Sequence, residues 1–225
     1  AHVEYVQDWA TGAEDPTTKQ ASWRRDPKQA GRGSVTGDIG THAFHLLHFV
    51  LDKPITELSA RFHVCGGADQ MEDTAFMQLK VDGDIPGTLW ATQAAPGNAC
   101  GLRLRIYGEK GGLEWDQEMA ENIRYTPFGE PAQTIVRGHG SGILPEAERL
   151  IRLPRGHGEG VSDAWCNLYS EMAIAFEAHQ NGTKLEDGFV HVPNVVDGAR
   201  GVFFVDAAAD SHEADGAWMP CWYEG

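Results

Sequence analysis

From Ile55 to Arg137 the apolar residues recur with a period of two, and this pattern constrains the fold more than any other feature of the chain. Ile55–Cys65, Thr74–Val81, Gly87–Ala94, Leu102–Gly108, Leu113–Asp116, Asn122–Thr126 and Gln133–Arg137 each read as a strand. Leu102–Gly108 alternates most cleanly, with Leu102, Leu104 and Ile106 on one face and Arg103, Arg105 and Tyr107 on the other. Asp82-Gly83-Asp84 marks a hairpin, and Gly111-Gly112 marks a second turn. Parallel strands need a crossover of about a dozen residues or more, and most of these joins are too short for one. An antiparallel or mixed sheet is therefore expected, with His2–Asp8 as a further strand ahead of it.

Around this block the period changes. Thr11–Lys19 and Arg24–Gly37 read as loops. Asp38–Leu51 carries Ile39, Ala43, Leu46, Leu47 and Val50 at helical spacing, with Asp38 as the expected N-cap and Asp52-Lys53-Pro54 as the stop. Pro145–Ile151 reads as a short helix. Asp163–His179 reads as a long one, with Trp165, Leu168, Tyr169, Met172, Ala173 and Phe176 on one side. Val195–His212 closes the series. No repeat and no long linker divides the chain. The expectation is one α+β domain over residues 1–225, an open, largely antiparallel mixed sheet with helices packed on one face. The bare face then needs a cover, because large apolar patches are rarely left exposed, and a homodimer through that face is expected.

Charge excludes some partners. The 18 Lys+Arg stand against 33 Asp+Glu, a net −15, so neither nucleic acid nor an anionic membrane is expected as a partner. No apolar run reaches the ~18–20 residues that span a bilayer. Cys65, Cys100, Cys166 and Cys221 are far apart and form no C-x-x-C pair, so reduced thiols in a cytoplasmic protein are expected. The chain opens on Ala1 without a signal-peptide pattern, and the missing Met suggests a processed or excised piece or the common removal of Met before Ala.

The densest chemistry lies in Gly37-Asp38-Ile39-Gly40-Thr41-His42-Ala43-Phe44-His45. Residues four apart on a helix share a face, so Asp38 stands beside His42. A carboxylate next to an imidazole tunes and orients it, and such a His takes a proton from a substrate hydroxyl. The same spacing also suits a capping Asp and a packed His. His42, His45 and His48 step by three around the helix and do not converge, so no metal is expected. Gly31-x-Gly33-x-x-x-Gly37 has neither the spacing nor the preceding apolar strand of a dinucleotide loop. Lys19-Gln20-Ala21-Ser22-Trp23-Arg24 and Gly156-His157-Gly158-Glu159-Gly160 offer polar groups and a stacking indole for a hydroxylated ligand, or are solvated loops.

Several stretches together resemble the Gfo/Idh/MocA oxidoreductases, the family of glucose–fructose oxidoreductase and inositol dehydrogenase. They are Trp23-Arg24-Arg25-Asp26-Pro27, Gly33, Gly37 through His42, Ala91 through Asn98, Leu102 through Trp115, Gly156 through Gly160 with Ala164 through Tyr169, and Pro193–Ser211. His157 is followed by Gly158 where relatives carry Pro. The resemblance covers the family's C-terminal domain; the Rossmann domain, with its G-x-G-x-x-G loop and E-K-P lysine, has no counterpart here. It implies a substrate domain of an enzyme acting on a sugar or polyol hydroxyl. His42 would be its acid–base residue and Asp38 its orienting partner. Lys19, Trp23, Arg24, Gln93 and His157 would line the substrate pocket. NAD or NADP would be held mainly by the absent domain, so the isolated chain is expected to be inactive. A non-catalytic sugar-binding or dimerisation module is the alternative.

Overall fold

The structure is a computed structural model and describes residues 1–12, 26–66, 71–138, 140, 142–186 and 189–223. Nine strands form one sheet: β1 (His2–Val6), β2 (Ile55–His63), β3 (Thr74–Val81), β4 (Ile85–Thr92), β5 (Gly101–Gly108), β6 (Gly111–Asp116), β7 (Asn122–Pro127), β8 (Gln133–Val136) and β9 (Met219–Pro220). Their order is β8-β7-β6-β5-β1-β4-β3-β2-β9. Each pair is antiparallel except β1 with β4, which are parallel, Val3 lying opposite Leu89. The open, largely antiparallel mixed sheet read from the sequence is the sheet observed. The hairpin at Asp82-Gly83-Asp84 is also present. Asp82 and Gly83 have φ of 51° and 90°, the left-handed values such a turn requires.

The helices are α1 (Pro27–Ala30), α2 (Thr41–Leu51), α3 (Pro145–Glu148), α4 (Val161–Gln180) and α5 (Val195–Glu213). α2 ends where Asp52 turns left-handed at φ 51° and donates its N–H to the His48 carbonyl at 2.9 Å. Side-chain alternation sends Val3, Leu58, Met77, Leu79, Leu89, Leu102 and Leu104 to one face, where they meet Ala43, Phe44 and Leu47 of α2 and Phe204, Ala207 and Ala208 of α5. Burying a side chain such as Leu47 is worth about 1.5–3 kcal/mol. The small residues Ala207, Ala208 and Ser211 let α5 lie close to β2. There Ala60 donates its N–H to Ser211 Oγ at 2.8 Å, and that hydroxyl donates to the Ala217 carbonyl at 2.6 Å.

The structure corrects the sequence reading in four places. Arg24–Gly37 is not loop throughout, because Asp26 caps α1 by accepting the Lys28 N–H at 3.0 Å. Asp38 is not an N-cap. It lies inside a π-helical turn, Thr36–Gly40, and donates its own N–H to the Ser34 carbonyl at 2.9 Å. The described helices cover only part of their face: Leu113, Ile123 and Ile135, at 39–42% exposure, extend the apolar face over β6–β8, and no described helix lies above them. α4 is instead tied to Arg149, Leu150, Arg152 and His191, through Arg149–Glu171, the Asn167 amide to the Leu150 carbonyl, Arg152–Asn167 and the His191 N–H to Glu171 at 3.0 Å. Last, β9 was not anticipated.

Among the described residues no helix covers the other face of the sheet. It holds alternating charges rather than a plain apolar surface. Arg103 pairs with Glu4 at 3.1 Å and Asp116 at 2.8 Å, Arg105 with Glu4 at 3.4 Å, and Arg124 with Glu114 at 2.9 Å. Phe76 and Trp90 stack beside them, ring centres 5.7 Å apart. All four cysteines are free thiols. Among the described residues no helix is long and apolar enough to cross a membrane.

Candidate active site

The site begins where the π-helical turn runs into α2. The first N–H groups of a helix lack partners within it. Here the buried Glu72, just ahead of β3, supplies one: its Oε1 accepts the Thr36 N–H at 3.2 Å. Burial pushes the Glu72 carboxyl above the usual carboxylate range, although backbone N–H groups at Ser34 and Thr36 pull the other way. A π-helical turn inserts a residue into the ordinary ladder, and such turns concentrate at functional sites. In this chain the insertion closes through the Thr41 N–H to the Thr36 carbonyl, and Thr41 Oγ1 donates to the Gly37 carbonyl at 3.0 Å.

Asp38 and His42 border one cavity of about 330 Å³, together with Gly33, Ser34 and Gly37. Asp38 is half-buried and His42 is exposed, so neither is sealed from solvent. Gln93, immediately after β4, is 2% exposed and donates from Nε2 to Asp38 Oδ2 at 2.7 Å. Two more cavities meet at His42. One, about 630 Å³, runs between α2 and α5 past Gly37, Gly198, Gly201 and Val205. The other, about 770 Å³, lies over His45, Phe49, Leu102, His191 and Asp197. His42 therefore stands where three hollows join.

The neighbours of His42 set its surroundings. The Tyr5 ring meets it edge-on, centres 6.0 Å apart. Burial, then the hydrogen bond to Cys100 Sγ at 3.1 Å, pushes the Tyr5 hydroxyl up to about 12, so it stays protonated at neutral pH. His45, one turn further along α2, is held below the usual imidazole range chiefly by burial, with Asp197 opposing. Among the described residues no group of three His, Cys, Asp or Glu side chains is placed to hold a metal ion.

Asp38, His42 and Gln93 come together. Lys19, Trp23 and Arg24 lie outside the described residues. His157 is exposed and borders none of the three cavities at His42. Its backbone carbonyl accepts from Arg137 at 2.8 Å, and Arg137 also binds Glu121 and Glu159. The sequence reading did not single out Glu72, Tyr5 or His191, because their roles come from tertiary contacts. His45 was named only as one of a series of histidines.

A family model described as GFO/IDH/MocA C-terminal domain matches residues 1–114. An uncharacterized oxidoreductase of Bacillus subtilis, YfiI, is 30% identical over 215 residues, which are 93% of this chain and 54% of that protein. An oxidoreductase from Sinorhizobium meliloti is 40% identical, with a TM-score of 0.81 over 97% of this chain and 55% of its own. An inositol dehydrogenase homolog from Azotobacter vinelandii, solved with NAD+, is 28% identical, with a TM-score of 0.89 over 97% of this chain and 57% of its own. An inositol dehydrogenase homolog from Azotobacter vinelandii solved with NADH and myo-inositol is 27% identical, with a TM-score of 0.84 over 97% of this chain and 56% of its own. The chain thus spans little more than half the length of these relatives.

Proposed function

The chain belongs to the GFO/IDH/MocA family through its C-terminal domain, and from that premise we propose that it is the substrate domain of an NAD(P)-dependent oxidoreductase acting on a sugar or polyol hydroxyl. The observation that carries this reading is the position of His42, open to solvent, lining one cavity with Asp38 and bordering two more. The Azotobacter homolog solved with a nicotinamide cofactor and myo-inositol supports the substrate class.

The groove between α2 and α5 suits a flat ring. A Cβ built on Gly37 or Gly198 would meet nothing within 4 Å, so backbone lines the groove without side chains filling it. No glycine-rich phosphate loop follows a strand in this sequence. The residues therefore fit the nicotinamide end of the cofactor, with Gly37, His42, Gly198 and Gly201 beside it, and leave the phosphates to another part of the enzyme. When bound, the cofactor supplies the hydride acceptor. A ring nitrogen of His42 takes the hydroxyl proton, and Asp38 steadies the imidazolium that results. In reduction His42 returns that proton to the new alkoxide.

The same reading has the isolated chain inactive and the intact enzyme dimeric through the bare sheet face. That face supports contact because its charges are already paired within the chain, which lowers the cost of taking them from water. The half-exposed Phe76 stands among them. Light scattering of the purified chain is expected to give a dimer, and a strict monomer at high concentration contradicts that part. NADH titrated into the chain alone is expected to bind no tighter than millimolar; micromolar binding contradicts the assignment of the cofactor phosphates elsewhere. A panel of cyclic polyols and sugars offered to the intact enzyme with NAD+ or NADP+ tests the reaction itself.

A further inference from the structure

Gln93 was read from the sequence as a pocket residue, yet at 2% exposure it has almost no surface left for a substrate. Its backbone is fixed at both ends. The Gln93 N–H donates to the Asp73 carbonyl at 2.9 Å, and its carbonyl accepts the Ala10 N–H at 2.8 Å. Asp73 is itself buried and anchored, its carboxylate accepting from the Cys65 and Gly66 N–H groups and the Thr74 hydroxyl at 2.6–2.9 Å. The side chain leaving this rigid point reaches across to the π-helical turn, and its amide N–H meets Asp38 Oδ2 at 2.7 Å. An amide is costly to bury without a partner, and a charged acceptor makes one of the stronger hydrogen bonds.

We propose that Gln93 is a positioning residue for the Asp38–His42 pair: it locks the Asp38 carboxylate from the sheet side, so that the acid presents a fixed face to the imidazole. This rests on the acid–base reading given above. An amide anchored by its backbone at the end of a strand holds a group more tightly than a free loop would, and misplacing a reacting group by about 1 Å costs on the order of 100-fold in rate. An amide N–H can only donate, so the contact also requires an acceptor oxygen on Asp38.

Two substitutions in the intact enzyme test this. Gln93→Met keeps the shape and removes the donor. It is expected to lower kcat about 10- to 100-fold with KM nearly unchanged, the equivalent of one hydrogen bond to a charged group. Gln93→Glu keeps the shape and regains a donor only when a proton is shared with Asp38. Its activity relative to wild type at the same pH is expected to climb as pH falls, while that of Gln93→Met stays flat. A purely structural role predicts neither the kcat-only loss nor the divergence of the two profiles. Unchanged kcat in Gln93→Met, a rise in KM alone, or parallel profiles for the two variants overturns the proposal. If Asp38→Asn and His42→Ala are also silent, the acid–base reading itself has failed. If they are crippled while Gln93→Met is not, only the role of Gln93 has.

Discussion

Phe44 of α2 stacks on Phe204 of α5 with ring centres 4.4 Å apart and planes 22° from parallel. Both rings are essentially buried, at 2% and 0% exposure. The stack joins the helix that carries His42 to the helix that forms the far wall of its groove. The width of that groove is thus set by core packing.

Replacing Phe204 with Ala is expected to cost about 3–5 kcal/mol, the usual penalty for emptying a large aromatic site in a core. Urea unfolding of the two proteins measures it. A loss under about 1 kcal/mol would mean that α5 closes the gap and that the stack does not set the spacing.

Glu72 gives a pH signature. Its carboxyl is raised in the folded state, mainly by burial. The folded protein therefore favours the protonated form. The stability tied to this group is fully present below the ordinary carboxylate range and is lost as pH rises through the raised folded value. Glu72→Gln keeps an oxygen for the Thr36 N–H and does not ionise. Thermal melts from pH 4 to 8 are expected to show the variant gaining on wild type as pH rises; a constant gap would contradict the buried-carboxylate account.

Glu171 gives the opposite sign. The Arg149 guanidinium, then the His191 N–H, hold its carboxyl below the usual range. Its contribution is present above the unfolded carboxylate value and disappears as pH falls through the lowered one. Arg149→Leu is expected to cost about 2 kcal/mol at pH 7, since it strips a charged hydrogen bond from a carboxylate only 3% exposed. The difference from wild type should shrink towards acid pH, read from denaturant midpoints. A pH-independent difference would show that packing, not the ion pair, ties α4 to Arg149.

Much of the sheet was legible because a half-buried strand writes its burial into the sequence with a period of two. Leu102, Leu104 and Ile106 face α2 and α5 as the alternation requires. Pairing across long separations leaves no such trace. Nothing local in His2–Val6 reveals that it inserts between β4 and β5, and two residues at Met219–Pro220 are too few for any period. The Asp38–His42 spacing was readable, but the π-helical turn under it was not, because Thr36–Gly40 carries no residue peculiar to that geometry. The partnership of Gln93 with Asp38 spans 55 positions and depends on the close of β4 lying beside the start of α2. Only the folded chain brings them together.

The thiols offer a check on burial. Cys221 is fully buried, and burial pushes its thiol up to about 12, whereas Cys65 and Cys166 are exposed. Native protein treated with a thiol reagent at pH 8 is expected to label Cys65 and Cys166 quickly and Cys221 only on unfolding. Rapid labelling of Cys221 would contradict the docking of β9 against β2.

The acid–base role proposed for His42 meets its most direct test in the steady-state rate of the intact enzyme carrying His42→Ala, with a polyol substrate and nicotinamide cofactor. Loss of a general base is expected to lower kcat by about 10²–10⁴-fold while the variant still binds cofactor. A rate equal to that of wild type would remove His42 from the chemistry and contradict the account.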